Sequence, residues 1–215
     1  MADIATHELS RTKGVRVRSA RRRDFDAIRR NHQITFAEHK AREETFKVGG
    51  PFIDDYLSDL TSPLAWLGGL LGRDQSVVLV AEVDGRVEGH IAYTRYSNQV
   101  GPYAAIVGDV SIAPEHRRSG LGRALVGAME HREALAGTTS FAASIWPENR
   151  ASAQLFSTLG YAPFAGNSPN ADARTLVEKA IPFGTLPLTV TMAKSAVLTL
   201  FAIAVGYQLF SVFIG

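Results

Sequence analysis

The stretch that decides the fold is GDVSIAPEHRRSGLGRALV, residues 108–126. A short strand-like run stops at Pro114, two glycines follow at Gly120 and Gly122, and an apolar, helix-like run comes next. Glycines at a strand-to-helix turn let backbone N–H groups point into one small space. The helix adds its own unpaired N–H groups and the positive end of its dipole. Such a turn binds phosphate, so we predict an anion site here.

Arginines flank these glycines and add charge-assisted donors, namely Arg117, Arg118 and Arg123. The site therefore suits a diphosphate. The turn lacks the G-K-[ST] that a nucleoside triphosphatase needs for its metal, and it is not G-x-G-x-x-G after an early strand.

The surrounding pattern predicts an α/β (α+β) domain with a mixed sheet. Asp84-Gly85, between two strand-like runs, is a hairpin signal and argues against a pure doubly wound sheet. Expected strands are 15–20, 76–83, 86–96, 103–113, 139–146 and 174–181. Expected helices are 21–40, 52–60, 62–72, 119–136 and 149–161.

Composition narrows the chemistry. The 215 residues include no cysteine, which removes disulfides, thiolate metal sites and an acyl-cysteine intermediate. The formal net charge is +2. Basic residues concentrate between Arg11 and Arg30, which we interpret as a solvated face, with contact to nucleic acid or anionic lipid as the alternative. We expect no nucleic-acid partner.

The C-terminal stretch Ser195–Gly215 carries no charged residue. A helix of this length spans about 30 Å, the thickness of a bilayer's hydrocarbon core. We therefore predict a single transmembrane helix, with a buried helix of a soluble domain or a dimerisation helix as alternatives. Lys194 precedes it, which favours a cytoplasmic N-terminal side. The predicted division is a lead (1–14), one domain (15–184), a linker (185–194) and the membrane helix (195–215).

The motif R-x-x-G-x-G, from Arg117 to Gly122, resembles the acetyl-CoA pyrophosphate loop of the GNAT superfamily of N-acetyltransferases. WPENRASAQLFSTLGYAPF (146–164) resembles the family's next strand end and helix, and VRVRSARRRDFDAI (15–28) its first strand and helix. The resemblance covers about residues 15 to 180.

This resemblance implies a GNAT-like fold with acetyl-CoA as co-substrate and direct transfer of acetyl to an amine. It implies that Asn149 contacts the pantetheine or the acyl group. The pantetheine would pair with backbone near Val110, Ser111 and Ile112. The pyrophosphate would lie on Arg117 and on the loop amides of Arg118, Ser119, Gly120, Leu121, Gly122 and Arg123.

Asp109 stands where the family often carries a general base, and the alternative is that it orients a loop or pairs with an arginine. Phe156 stands where the family often has a tyrosine acid, so the CoA thiolate would leave unprotonated, or water or another tyrosine would take that role. The candidates Tyr93, Tyr96 and Tyr103 are expected mainly to pack.

The acceptor pocket of such enzymes forms around the first helices. The polar residues there are His32, Glu38, His39, Glu43 and Glu44. Their spacing lacks the H-E-x-x-H form, so we expect a solvated or substrate-lining helix and no metal.

Two hypotheses of function follow. The first is an acetyl-CoA-dependent N-acetyltransferase tethered to the membrane, with a cytoplasmic catalytic domain. The second, motivated by Phe156 and by small residues along the tail, is an inactive GNAT-like accessory subunit of a membrane protein complex. A soluble homodimer whose tail packs across the interface is a third possibility.

Overall fold

The computed structural model describes residues 14–42, 52–64, 74–96, 104–146, 148–163 and 175–180. Within them the strands form one sheet in the order β1-β2-β3-β4-β5-β7-β6. Only the β4–β5 pair is parallel, so the expected mixed sheet is confirmed. The strands are β1 (Val15–Ser19), β2 (Gln75–Val83), β3 (Arg86–Tyr96), β4 (Ala104–Ile112), β5 (Ser140–Ile145), β6 (Ala162–Pro163) and β7 (Thr175–Ala180).

The β2–β3 hairpin turns at Asp84-Gly85, as the sequence predicts. Both residues have positive φ, 48° and 79°. A two-residue turn of this kind matches the right-handed twist of the flanking strands, and it favours Asp and Gly because they tolerate the left-handed region.

Four α-helices whose bounds lie within the described residues pack around the sheet: α1 (Phe25–Arg42), α2 (Phe52–Thr61), α3 (Leu121–Leu135) and α4 (Arg150–Thr158). The helix expected from residue 119 begins two residues later because Gly120, with φ of 93°, is left-handed and stands outside it. The short strand β6 was not expected, because two residues leave no periodic signal.

The two faces of the sheet bury separate apolar clusters. Helix α3 packs its buried side chains against one face, and α1 and α2 cover the other. The α3-side cluster includes Leu79, Tyr93, Leu121, Leu125, Met129 and Phe141. The cluster under α1 and α2 includes Ile28, Ile53, Tyr56, Leu57, Val78 and Val80.

A buried carboxylate ties α3 to β3. Glu133 is fully buried and accepts a hydrogen bond from the Tyr93 hydroxyl at 2.7 Å and two from Arg95. A carboxylate out of water requires such partners. Burial, and then the charge of Glu133, raise the pKa of Tyr93 well above its usual value. Tyr93 is therefore a packing residue, as expected.

The described residues do not include 1–13 of the predicted lead, 65–72 of the helix expected at 62–72, the predicted linker or the hydrophobic C-terminal stretch. They also leave out Tyr103, Glu43 and Glu44. Within the described part of the chain, no helix is both long and apolar enough to cross a membrane.

Candidate active site

The turn between β4 and α3 has the backbone of an anion site. Arg118 has a φ of 61° and Gly120 a φ of 93°, so two nearby residues are left-handed. Such turns gather N–H groups into a concave nest for anions. Nothing lies within 4 Å of a Cβ built on Gly120. A glycine is therefore needed at this position for its backbone conformation and not to avoid a steric clash.

The N-terminus of α3 is open to a ligand. The first bond of the helix runs from the Ala124 N–H to the Gly120 carbonyl at 2.9 Å, and no side chain caps this end. The N–H groups of Leu121, Gly122 and Arg123 therefore have no partner among the described residues, and the helix dipole adds positive potential there.

The other residues of the turn hold its shape. Arg117 Nε donates to the Ile112 carbonyl at 3.2 Å, and Ser119 Oγ donates to the His116 carbonyl at 2.6 Å. A Cβ on Gly122 would lie 3.3 Å from Leu155 of α4, so this glycine permits close packing of the two helices.

A gap opens in the sheet beside this turn. Strands β4 and β5 pair only from Ala104–Ser140 to Val107–Ala143. Beyond that point β4 continues along β3 to Ile112, and β5 continues along β7 to Ile145, without pairing with each other.

Backbone groups of β4 point into this gap. The Ala113 N–H donates to the Glu88 carbonyl of the β3 side. Since alternate residues of an antiparallel strand bond to the same neighbour, Ser111 and Asp109 also bond toward β3. Val110 and Ile112 therefore direct their backbone polar groups into the gap.

A β-bulge stands where the gap begins. Ala92 pairs with Asp109 and Tyr93 with Val107, which leaves Gly108 as the extra residue. A Cβ built on Gly108 would lie 2.5 Å from the Tyr56 hydroxyl, so Tyr56 of α2 packs directly over the bulge. That hydroxyl also bonds Thr94 Oγ1 at 3.1 Å.

Asp109 is the centre of a buried polar network. Its Oδ2 lies 2.8 Å from His32 Nδ1 of α1 and 2.8 Å from His90 Nε2 of β3. Its Oδ1 accepts from Ser111 Oγ at 2.9 Å. An ionised carboxylate only accepts hydrogen bonds, so the network assigns a proton to each of these two ring nitrogens.

This network determines what Asp109 can do. Burial pushes the pKa of Asp109 upward, but the charge interaction with His90 and the hydrogen bonds from His32 and His90 outweigh it. The pKa therefore lies well below the usual range. A carboxylate this acidic, with both oxygens occupied, is a weak base. The partners of Asp109 are histidines and a serine, not the arginine that the sequence suggested as an alternative.

His90 was missed at the sequence level. It is the one ionisable side chain in residues 89–92, and strand alternation places it on the same face as Ala92. Its Nδ1 is buried and has no partner among the described residues. The signal in the sequence was a single histidine within a strand whose other residues predict burial.

His32, His90 and Asp109 also meet the spacing of a metal-binding group, with ligand atoms within 4.8 Å of one another. Tetrahedral zinc would hold such atoms roughly 3.3 Å apart. The nitrogens lie 2.8 Å from Oδ2, which is the spacing of hydrogen bonds. The geometry fits a proton-linked network better than a ligand set.

Asn149 and Phe156 lie on the far side of the gap. Asn149 caps α4, with its Oδ1 accepting from the Ser152 N–H at 3.1 Å. Phe156 is buried and stacks edge-on against Tyr161, with ring centroids 4.9 Å apart. Of the other residues named from sequence, Tyr96 is exposed at the end of β3, and the side chains of Glu38 and His39 lie outside the described set.

A family model described as "Acetyltransferase (GNAT) family" matches residues 34–161, which include the turn, the bulge and α4. The chain belongs to the GNAT family of acetyltransferases. Enzymes of this family use acetyl-CoA as co-substrate, which is the donor that the sequence predicts.

Relatives agree with this assignment. The chain is 34% identical over 107 residues to the L-2,4-diaminobutyric acid acetyltransferase of Nocardia farcinica. That match covers 49% of this chain and 53% of the relative, so the chain aligns with about half of that protein's length.

Solved structures show the fold. yncA from Salmonella typhimurium, solved with its cofactor acetyl-CoA, is 23% identical with a TM-score of 0.55 and covers 81% of this chain and 98% of its own. A GNAT family acetyltransferase from Brucella melitensis in complex with acetyl-CoA is 17% identical with a TM-score of 0.51, covering 78% and 88%.

Proposed function

We propose that this chain transfers the acetyl group of acetyl-CoA directly to an amine. The observation that carries this is the continuity of two features along β4. An open, uncapped anion site at the start of α3 leads into a gap that is faced by the backbone of Val110 and by that of Ile112, whose carbonyl accepts from Arg117. The gap ends at the bulge and the Asp109 network.

Acetyl-CoA would contact the anion site and the gap with successive parts of the molecule. The pyrophosphate would accept hydrogen bonds from the N–H groups between Arg118 and Arg123, as an anion does at a helix N-terminus. The pantetheine amides would pair with the backbone of Val110 and Ile112, replacing the missing β5 ladder. The Nδ2 of Asn149, which bonds to no described residue, would face the opposite wall.

The chemistry needs an oxyanion donor and a path for the leaving thiolate. The Val110 N–H would stabilise the charge that develops on the thioester oxygen. Phe156 has no hydroxyl. The Tyr56 hydroxyl, which lies over Gly108, would serve as a hydrogen-bond donor at the reacting end. Burial raises the pKa of Tyr56, so its proton stays in place near neutral pH.

Binding of acetyl-CoA tests the donor site. Isothermal calorimetry on the full-length protein in mild detergent should show binding that is weakened when Gly120 and Gly122 are both replaced by leucine. Gly127→Ala is a matched control, because nothing lies within 4 Å of a Cβ there. Absence of binding by the folded wild-type protein would refute the proposal.

A thiol-release assay tests the transfer. The amine panel should include L-2,4-diaminobutyric acid, the substrate named for the Nocardia relative, with other amino acids, polyamines and peptides. Binding of acetyl-CoA without transfer to any amine would count against an enzyme and favour an accessory role.

We further propose that residues 195–215 tether the enzyme to a membrane with its catalytic domain in the cytoplasm. The support is the uncharged length of that stretch, which matches a bilayer core. The full-length protein should stay in the membrane fraction after carbonate washing, whereas a variant ending at residue 184 should not. Release of the full-length protein by carbonate would refute the tether.

A further inference from the structure

Helix α1 places the His32 imidazole beside Asp109, at the end of the gap where the acetyl transfer would take place. His32 Nδ1 lies 2.8 Å from Asp109 Oδ2, although the two residues are 77 positions apart in the chain. The His32 side chain keeps 12% of its surface exposed, whereas that of Asp109 keeps 5% and that of His90 none. Of the three, His32 is therefore the one that solvent and an acceptor can reach.

The orientation of the His32 ring is fixed from two sides. Its Nδ1 donates to Asp109, and the ring packs on Phe36 with centroids 4.1 Å apart. An imidazole that donates from Nδ1 carries its lone pair on Nε2. No described residue bonds to His32 Nε2. The accessible nitrogen is thus the one that can accept a proton.

The carboxylate that holds His32 is itself fixed. Its second oxygen accepts from Ser111 Oγ, and His90, fully buried on β3, bonds the same oxygen as His32. A carboxylate with all these partners cannot swing toward a substrate, but it holds an imidazole in one tautomer and stabilises the cation that forms on it. The Ser-His-Asp hydrolases use an aspartate in this way.

We propose that His32 is the general base of this enzyme and that Asp109 and His90 are its positioning residues. The inference rests on the proposed transfer reaction. It changes the role that the sequence suggested for Asp109, from base to support.

The proton balance is complete with groups already present. The acceptor ammonium gives one proton to His32 Nε2, and the resulting amine forms a C–N bond with the thioester carbonyl carbon. The C–S bond breaks and CoA leaves as a thiolate. The nitrogen's second proton ends on that sulfur, and the imidazolium returns its proton to solvent, giving amide, CoA thiol and one proton.

The elements packed against α1 carry several other charged and titratable groups. Asp109 on β4 and His90 on β3 bond within the network. From α2, Tyr56 lies over the adjacent bulge, and Asp54 pairs with Arg29 of α1 at 2.7 Å. Asp109 is the only one of these that the described structure bonds to His32.

The decisive experiment compares pH profiles of kcat/KM for wild type and His32→Gln, with the best amine of the panel as acceptor. We expect a loss of about 100-fold or more in kcat/KM, the range for removing a general base. The fall of the wild-type rate on the acid side should be replaced by one that follows deprotonation of the acceptor amine in solution, because no base is left to take its proton. The KM for acetyl-CoA should stay unchanged. His131→Gln, an exposed histidine on α3, is the matched control and should behave as wild type.

Two further measurements separate a base from a structural role. Imidazole added to His32→Ala should restore part of the lost rate, and Asp109→Asn should shift the acid-side fall in addition to lowering kcat. A His32→Gln enzyme within a few-fold of wild type, with its acid-side fall intact, would overturn the inference. Failure of the wild type to transfer acetyl to any amine would instead refute the proposed function.

Discussion

The bulge at Gly108 offers a sharp test of the packing over the gap. An alanine Cβ there would lie 2.5 Å from the Tyr56 hydroxyl and 3.3 Å from two ring carbons of Tyr56. Gly108 does not have positive φ, so the backbone tolerates alanine and the conflict is steric alone. Tyr56 is 9% exposed and packs with Ile53, Leu57 and Val78, so its ring cannot swing aside freely.

We expect Gly108→Ala to lower the free energy of unfolding by about 1–3 kcal/mol, the usual effect of an extra methyl in a close-packed site. Tyr56→Phe alone should lower it by about 1 kcal/mol, through the lost bond to Thr94. Because phenylalanine lacks the clashing oxygen, the double variant should be about as stable as Tyr56→Phe. The coupling between the two sites should therefore be about 1–3 kcal/mol, the whole effect of Gly108→Ala.

Urea denaturation followed by circular dichroism measures all four free energies, provided that the slope with denaturant stays constant. Gly127→Ala is the control. It adds the same methyl in open space within α3, and should stabilise the protein by about 0.5–1 kcal/mol. If the two substitutions at Gly108 and Tyr56 add within about 0.5 kcal/mol, the hydroxyl does not sit over the bulge and the reasoning fails.

Three other predictions concern polar side chains that hold elements of the fold together. Glu133→Ala should lower the free energy of unfolding by about 3–5 kcal/mol, because it removes the buried carboxylate that accepts from Arg95 and from the Tyr93 hydroxyl. Glu133→Gln should lower it less, and thermal denaturation of both variants compares them. Asp109 has a pKa lowered on folding, so its contribution to stability is present above the ordinary aspartate pKa near 4 and is lost as pH falls. Below pH 4, Asp109→Asn should therefore reduce the slope of the unfolding free energy against pH by up to about 1.4 kcal/mol per pH unit. Urea denaturation at a series of acid pH values measures this slope, and an unchanged slope would contradict the prediction. Asn149→Ala should lower stability by about 1 kcal/mol through loss of the α4 cap, with Asn149→Ser retaining most of it in the same denaturation assay.

Local features could be predicted from the sequence because their causes are local. Asp84 and Gly85 both tolerate the positive φ that a two-residue hairpin turn requires, and the alternation on either side predicts the strands. Asn149 three residues before Ser152 is a readable helix cap. The glycines at 120 and 122 mark the turn, although only the structure separates the one needed for conformation from the one needed for packing.

The contact of His32 and His90 with Asp109 could not be predicted in the same way. His90 and Asp109 lie on the adjacent strands β3 and β4, but His32 is 77 positions from Asp109, and its arrival depends on how α1 crosses the sheet. Considered alone, a histidine in a helix or in a strand has a simpler structural interpretation than membership of a catalytic network. The bulge at Gly108 is similarly set by the register between β3 and β4, which periodicity does not encode.

The four-pair ladder between β4 and β5 has a mechanical consequence. On one side, β1 to β4 form a block joined by long antiparallel ladders, and on the other β5 to β7 form a smaller block. The two blocks are joined through this short β4–β5 ladder, which forms the seam of the sheet. A pantetheine arm lying in the gap would extend that seam with hydrogen bonds of its own. The stiffness of the sheet would then rise when the donor binds and fall when CoA leaves, once in every catalytic cycle.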